Sequence, residues 1–460
     1  WSYLKDGANT LTEAGVERVS KFFVDPEYKS LEDQSAVLAQ LAQMSMGFVD
    51  TWVIAGLGER ALAGAAAGNV IYYFYVVLSI GILAAVSPMV AQGFGANDDV
   101  EIGRSVAQGL WLALLLGLIG MVLAFNIEGV LLLFDQEPPV AEVAGAYTSA
   151  MAWGIVANLF FAVFRTFADA VNRTRVAMVI AFAAVIVNGI ADYALVYGEL
   201  GMPELGVAGA GWATAIVRWA SLLMMLVYIV RTPAFRRYRF LYRARIVRPR
   251  YFGEMLRLGL PIGATTSLEH GAFGITTLMM GWISETAQAA HQASIMIAAL
   301  TFMVPMGMSF AITARVGQAI GRGSRHEAAL SGYVGIGIGL LFMCATCAIF
   351  VLFPGQLARV FTDEPTIVAM ATPFLIIAGV FQISDGLQVL AVGALRGLKE
   401  TKRPMITNLI SYWIIGIPVG YLLAFYGGLG GEGLWWGLVL GLTIAGILHA
   451  QRFYSLMREA

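Results

Sequence analysis

Four acidic side chains, Asp50, Asp192, Glu269 and Asp385, stand inside long runs of otherwise apolar residues. An ionised carboxylate at the centre of a bilayer costs roughly 2.5 to 3.5 kcal/mol even on the lenient insertion scale, so such groups normally face a cavity and handle ions. Asn188 precedes Asp192 by one helical turn on the same face, and Thr214 of the following helix is their expected neighbour. Oxygen-rich clusters of this kind suit a proton or a hard monovalent cation. A carboxylate in low-dielectric surroundings holds its proton more tightly, whereas a cation beside it favours the charged form. Na+ or H+ would then compete with a cationic substrate for the same oxygens. The competing structural reading is that each acid merely pairs with a base. Arg218 is available in the same apolar setting, yet one arginine cannot neutralise four acids. His270, next to Glu269, reads as a hydrogen-bonded packing residue.

The elements that position these groups follow from composition. Of 460 residues 58% are hydrophobic and only 13% charged, and the mean hydropathy is +0.74. This excludes a soluble domain and indicates a polytopic membrane protein. Apolar runs of spanning length fall at 35–57, 66–90, 105–125, 144–164, 176–197, 206–230, 258–283, 289–314, 330–353, 366–394, 404–426 and 433–450. They predict twelve transmembrane helices and an all-α integral membrane fold. None shows the alternation that a transmembrane barrel requires.

Residues 231–250 hold eight arginines and no acid. By the positive-inside rule this loop is cytoplasmic, and twelve spans then place both termini in the cytoplasm. Topology alone accounts for the arginines, so no nucleic-acid partner is expected.

A repeat runs through the chain at an offset near 226. Val90, Gln92 and Gly95 recur as Val316, Gln318 and Gly321; Gly206, Gly209 and Trp212 recur as Gly430, Gly433 and Trp436; Thr174, Arg175 and Met178 recur as Thr401, Lys402 and Met405. Three patterns in order predict two pseudo-symmetric six-helix bundles. The organisation expected is an atypical segment 1–34, an N-lobe 35–230, a basic cytoplasmic linker 231–257 and a C-lobe 258–460. Six is even, so the symmetry axis runs along the membrane normal, as in transporters that rock two bundles.

The scaffold repeats but its acids do not: the offset pairs Asp50 with Thr276, Asp192 with Pro418 and Glu269 with Gln43. Each lobe therefore has its own acidic pair, Asp50 and Asp192 in the first, Glu269 and Asp385 in the second. Gln43, Thr214 and the aromatic residues Tyr412 and Trp413 are candidate lining of a substrate cavity, where rings could stack on flat cationic molecules. Pro88, Pro261, Pro305, Pro373 and Pro418 would bend their helices. Cys344 and Cys347 read as small residues of an apolar helix. No H-E-x-x-H, G-x-S-x-G or phosphate-cradling loop is present, and the soluble segments are too short for an ATPase domain. No enzymatic activity and no cofactor is expected, and energy must come from an ion gradient or a partner.

Several strings, MGFVDT around Asp50, PMVAQGFGA after helix 2, GLPIGATTSLE ending at Glu269, HQASIMI, and QISDGLQVLAVGALRGLKETKRP around Asp385, resemble the multidrug and toxic compound extrusion (MATE) family, in its NorM-like bacterial branch. The resemblance runs from about residue 40 to the end. It implies a twelve-helix antiporter exporting cationic amphipathic compounds in exchange for Na+ or H+. It also implies that Asp50 is the helix 1 acid, that Asn188 and Asp192 take the helix 5 polar positions, and that Glu269 and Asp385 bind the coupling cation, with Na+ as a candidate. Helix 1 departs from the pattern: where relatives open with an apolar, proline-containing stretch like Gly259–Ile262, this chain reads LEDQSA at 31–36. Residues 1–34 match nothing in the repeat and read either as a cytoplasmic amphipathic helix or as a replaced start of helix 1.

The expectation is a monomeric, multi-pass exporter of the bacterial inner membrane. A lipid-linked oligosaccharide flippase is the alternative within the same superfamily, but its cavity should be cationic to match pyrophosphate. A channel would show a polar stripe through one span, and a membrane enzyme paired metal ligands at one face; neither pattern is present.

Overall fold

A computed structural model describes residues 31–458, with side chains from residue 37 onward. Of the segment 1–34, only the helical backbone at 31–34 falls within the described residues.

Twelve long helices account for nearly all of the described chain: α1 Leu31–Ala55, α2 Glu59–Gly95, α3 Asp99–Phe125, α4 Pro138–Ala170, α5 Arg175–Tyr197, α6 Val207–Arg231, α7 Pro249–Ile283, α8 Glu285–Gly321, α9 Arg325–Leu352, α10 Pro365–Gly397, α11 Lys402–Phe425 and α12 Gly431–Arg458. Eleven are long and apolar enough to cross a membrane. The exception is α7, which has ample length at 35 residues but carries Thr265, Thr266, Ser267, Glu269, His270, Thr276 and Thr277. The helix expected to hold a coupling acid is thus the most polar span. It also begins at Pro249, so residues 249–257 of the expected linker are helical. There Arg250, Glu254 and Arg257 give the helix a polar first two turns that extend it past its apolar run.

Local chemistry sets the boundaries. Asp98 accepts from the N–H groups of Val100 and Glu101, both at 2.9 Å, and starts α3. Ser324, its counterpart in the repeat, accepts from Glu327 N–H at 3.3 Å and starts α9. Each cap follows a left-handed residue, Asn97 (φ 55°) and Gly323 (φ 76°), which lets the chain reverse in three residues. Prolines open α4, α7 and α10, where a missing N–H removes nothing. In α2 the helix breaks at Ala84–Ala85, four residues before Pro88, whose ring would meet the carbonyl of residue 84. In α11 residues Leu409–Gly416 form π-helix ahead of Pro418, so the wider turns absorb the lost hydrogen bond.

The helices gather into two bundles, α1–α6 and α7–α12; the core of the first also takes in Met255, Leu258 and Ile262 of α7, and two further clusters fill the second. The arginine-rich linker lies against the first: Phe235, Tyr238 and Phe240 pack on Phe164 and Phe167. Trp111 donates to Ala244 O at 2.7 Å, and Gln108 bonds both Ile246 O and Arg248 N–H.

Contacts between the bundles obey the repeat. A Cβ on Gly95 would strike the backbone of Gln318, and one on Gly321 would strike that of Gln92. Gln92 donates across the interface to Gly397 O, the end of α10, at 3.0 Å; Gln318 donates to Ala170 O, the end of α4, at 2.9 Å. Farther along, Gly81 meets Gly263, with a Cβ on the former only 2.6 Å from the Cα of the latter, and Gly307 meets Val37. All these contacts lie in the half of the molecule nearer the linker.

Candidate functional site

Two polar clusters are buried in the bundles, one in each. In the first, α1, α5 and α6 converge on Asp50, Asn188, Asp192 and Thr214, whose exposures are 5%, 0%, 0% and 0%. Asn188 and Asp192, a turn apart on α5, are joined by a 2.9 Å bond from Asn188 Nδ2 to Asp192 Oδ2. Thr214 Oγ1 donates to Asp50 Oδ2 at 3.4 Å, and the two carboxyls lie within interaction distance of each other. The expected grouping of these four residues is therefore present. Among the described residues, one oxygen each of Asp50, Asn188 and Asp192 has no hydrogen-bond partner. Buried acceptors left over in this way are costly unless something positive satisfies them.

Arg218 is not that partner. Although it is 7% exposed and one turn from Thr214, its guanidinium donates to the Tyr72 hydroxyl and lies 5.3 Å from the centre of that ring. No basic side chain comes within ion-pair distance of Asp50, Asp192, Glu269 or Asp385 among the described residues.

In the second bundle, α7, α10 and α11 bring together Glu269, Asp385 and Tyr412. Asp385 is buried and Glu269 half-buried. Gln388 Nε2 approaches Glu269 Oε2 at 3.5 Å. Among the described residues, Asp385 Oδ1, Gln388 Oε1, Gln382 Oε1, Ser267 Oγ, Ser411 Oγ and the Tyr412 hydroxyl lack partners. Of these, Asp385, Gln388 and Tyr412 lie beside Glu269 and form with it an oxygen-rich group suited to a hard cation or to shared protons, whereas Gln382 donates to Ala298 O and Thr301 Oγ1 of α8. Ser411 and Tyr412 belong to the π-helical turns of α11, where the altered periodicity re-aims side chains, as π-bulges commonly do at functional sites.

Sequence reasoning missed Gln382, Gln388, Ser267 and Ser411. The first two flank Asp385 at three-residue spacing on α10, a signal that periodicity could have supplied. Ser411 could not have been placed without the π-helix. Trp413, expected at a cavity, donates from Nε1 to Leu268 O at 3.0 Å and stacks over Gly271, so its observed contacts are structural. Tyr412 is 5% exposed beside the acids. His270 is exposed, with Nδ1 bonded to Thr266 O at 2.9 Å.

A cavity of about 270 Å³ opens in the first bundle among α1, α2, α4, α5 and α6, with Gln43, Met46, Tyr73, Asn158, Arg218 and Ser221 in its wall. Gln43 stands in the wall of this cavity, and its Oε1 accepts from Arg165 Nη1 at 3.1 Å. Thr214 is instead consumed by the acid cluster.

Comparison with known proteins agrees with this geometry. The MatE family model matches residues 35–194 and 261–422, two stretches whose starts are 226 residues apart. A protein of Synechococcus sp. named Probable multidrug resistance protein NorM is 36% identical over 426 residues, covering 92% of each chain. Multidrug resistance protein PmpM of Pseudomonas aeruginosa is 36% identical over 417 residues, covering 90% of this chain and 87% of its own. Among solved structures, a MATE protein in complex with MaD3S superposes with a TM-score of 0.85 at 20% identity, covering 93% of this chain and 96% of the other. Family model, relatives and fold agree along almost the whole described length: the chain belongs to the MatE family, in its NorM-like branch.

Proposed function

We propose that this protein is a secondary-active multidrug exporter of the bacterial inner membrane. It moves cationic amphipathic compounds outward in exchange for Na+ or H+. The observation that carries the reading is the pair of acid clusters in which, among the described residues, Asp50 Oδ1, Asp192 Oδ1 and Asp385 Oδ1 have no hydrogen-bond donor and none of the four acids has a basic side chain within ion-pair distance. Negative groups held in this way are stable only when visited by mobile positive species. Glu269 and Asp385, with Gln388 and Tyr412 beside them, hold the coupling cation, Na+ or a proton. Asp50, Asp192 and Asn188 take a proton or the positive end of the substrate. The relatives named for multidrug resistance support export of small molecules.

The lobes, 35–230 and 258–460, rock about the axis of the repeat, joined by the linker and working as a monomer with both termini in the cytoplasm. The state described here is shut on the linker side, which we assign to the cytoplasm, because every inter-lobe contact named above lies there. An external cation entering from the open side neutralises the acids and displaces the bound drug, and the lobes then reverse to reload. The test is efflux of a fluorescent dye cation from proteoliposomes under an imposed Na+ or pH gradient. At least one gradient should drive efflux. Dye movement indifferent to both gradients would defeat the proposal.

A further inference from the structure

The arginines of residues 231–250 satisfy the positive-inside rule by their number, wherever in the loop they stand. Topology does not explain where the structure seats them. Trp111, which donates to Ala244 O, stands twelve residues, or about 18 Å, into α3 and six residues, or about 9 Å, inside the apolar run 105–125. It heads the exposed stripe Trp111, Leu115, Leu118 and Val122, whose spacing of four, three and four marks one outward, lipid-facing side of α3. Residues 244–248 are pinned there by Trp111 and Gln108. They therefore lie at the depth where acyl chains meet headgroups, and not out in the water.

The side chains of the linker sort by face. Phe235, Tyr238 and Phe240 are buried against the bundle, and Arg239, between the last two, takes a left-handed conformation (φ 47°) that leaves it outside. Leu241, Tyr242, Ile246 and Val247 are 48% to 68% exposed, and they alternate with exposed Arg239, Arg245 and Arg248. Two arginines are engaged with α3 or the residue before it in the fold: Arg237 pairs with Asp99 at 3.3 Å, and Arg243 donates to Val100 O at 3.1 Å. Arg245 lies 5.3 Å from the centre of the Tyr242 ring. The side chains of Arg236, Arg239 and Arg248 have no partner among the described residues. Apolar side chains interleaved with free guanidiniums, at the edge of the apolar zone, fit a phase that is hydrocarbon on one side and anionic on the other. A guanidinium matches phosphate oxygens with parallel N–H groups. A nucleic acid would match the arginines but leave the four apolar side chains in water.

We infer that residues 236–248 form a binding surface for anionic phospholipids of the leaflet on the linker side. The four outward arginines, Arg236, Arg239, Arg245 and Arg248, take headgroup phosphates, while the exposed apolar side chains lie among the upper acyl chains. Because the linker packs on the first bundle, the bound lipids seat that bundle in the leaflet. This binding does not depend on what the protein exports.

The test uses the full chain in nanodiscs of mixed phosphatidylcholine and phosphatidylglycerol, with Cys344 and Cys347 replaced and a nitrobenzoxadiazole fluorophore on Ile246→Cys. One lipid at a time carries a nitroxide quencher high on its acyl chain, at equal mole fraction. In low salt, quenching by labelled phosphatidylglycerol should exceed quenching by labelled phosphatidylcholine at least about threefold. About 1 M NaCl, which screens beyond about 3 Å, should bring the two together. Combining Arg236→Gln, Arg239→Gln, Arg245→Gln and Arg248→Gln should do the same in low salt and leave the emission blue-shifted, since the apolar side chains remain. Equal quenching by the two lipids with the arginines intact overturns the inference, whether or not the fourfold variant inserts. Water-like emission quenched by neither lipid overturns it as well, and so does emission that answers to added polyuridylate or to protein concentration in place of lipid, which would make the occupant a nucleic acid or a second copy. A preference that survives both salt and the four substitutions overturns the assignment to these arginines.

Discussion

Gln92 and Gln318 should act as a pair of latches on the shut end of the molecule, and removing them should open it. Each side chain crosses between bundles to the last carbonyls of the opposite bundle's α10 or α4, at 3.0 and 2.9 Å. These bonds can form only while Gly95 and Gly321 let the backbones touch, so they stabilise this state and not one in which the linker side is open. A neutral hydrogen bond contributes about 1 kcal/mol net, and its loss leaves a carbonyl at the helix end short of a donor. Gln92→Ala or Gln318→Ala should therefore shift the equilibrium about fivefold toward the linker-open state, since 1.4 kcal/mol corresponds to a factor of about ten. The double variant should shift it about thirtyfold if the two act independently. Spin labels on exposed Arg173 and Arg325, in a background with Cys344 and Cys347 replaced, would report the separation of the bundles by pulsed electron resonance. Longer distances should grow in each single variant and dominate in the double one. Distance distributions unchanged from wild type would refute the latch argument.

Other expectations follow from the same geometry. Gly81→Ala should weaken this shut state by about 1 to 3 kcal/mol through overpacking against Gly263, read as the same distance shift without any change at the acids. Glu269→Gln and Asp385→Asn should each reduce gradient-driven dye efflux by more than about tenfold while the bundles keep their thermal stability; full efflux in either variant would remove that acid from the coupling site. Asn408→Ala should lower the melting temperature, because it leaves His449 without its 2.8 Å partner in a buried setting, a loss of about 1 to 3 kcal/mol. Asp98→Ala should destabilise the start of α3 by about 1 kcal/mol, seen as faster amide exchange at Val100 and Glu101.

Much of the architecture was legible because lipid leaves a chain few options. Composition fixed the class, apolar runs located the helices, and three short repeated patterns revealed two related halves. The acids were conspicuous for the same reason, since a carboxylate in an apolar run needs either a basic partner or a function. What remained hidden depended on contacts between distant parts of the chain. Gln92 and Gln318 were visible as a repeated pattern, yet their targets lie 305 and 148 residues away, in the opposite bundle. Arg218 looked like a partner for the acids until its guanidinium was found on Tyr72. Gln382 and Gln388 had a readable spacing around Asp385, but glutamines attract less notice than carboxylates in a hydrophobic run. Ser411 and Tyr412 owe their direction to π-helical turns, which no propensity announces ahead of Pro418. The polarity of α7 was a clue in plain view: the span least suited to lipid is the one that carries Glu269.

The central claim, that mobile cations visit these buried carboxylates, is tested most directly by measuring the ion displaced when a dye cation binds. Purified protein in weakly buffered solution, loaded with radioactive Na+ or followed with a pH electrode, would be titrated with the dye. The account predicts release of about one Na+ or one H+ per dye bound, abolished by neutralising Glu269 together with Asp385. Saturable dye binding that releases neither ion would contradict it.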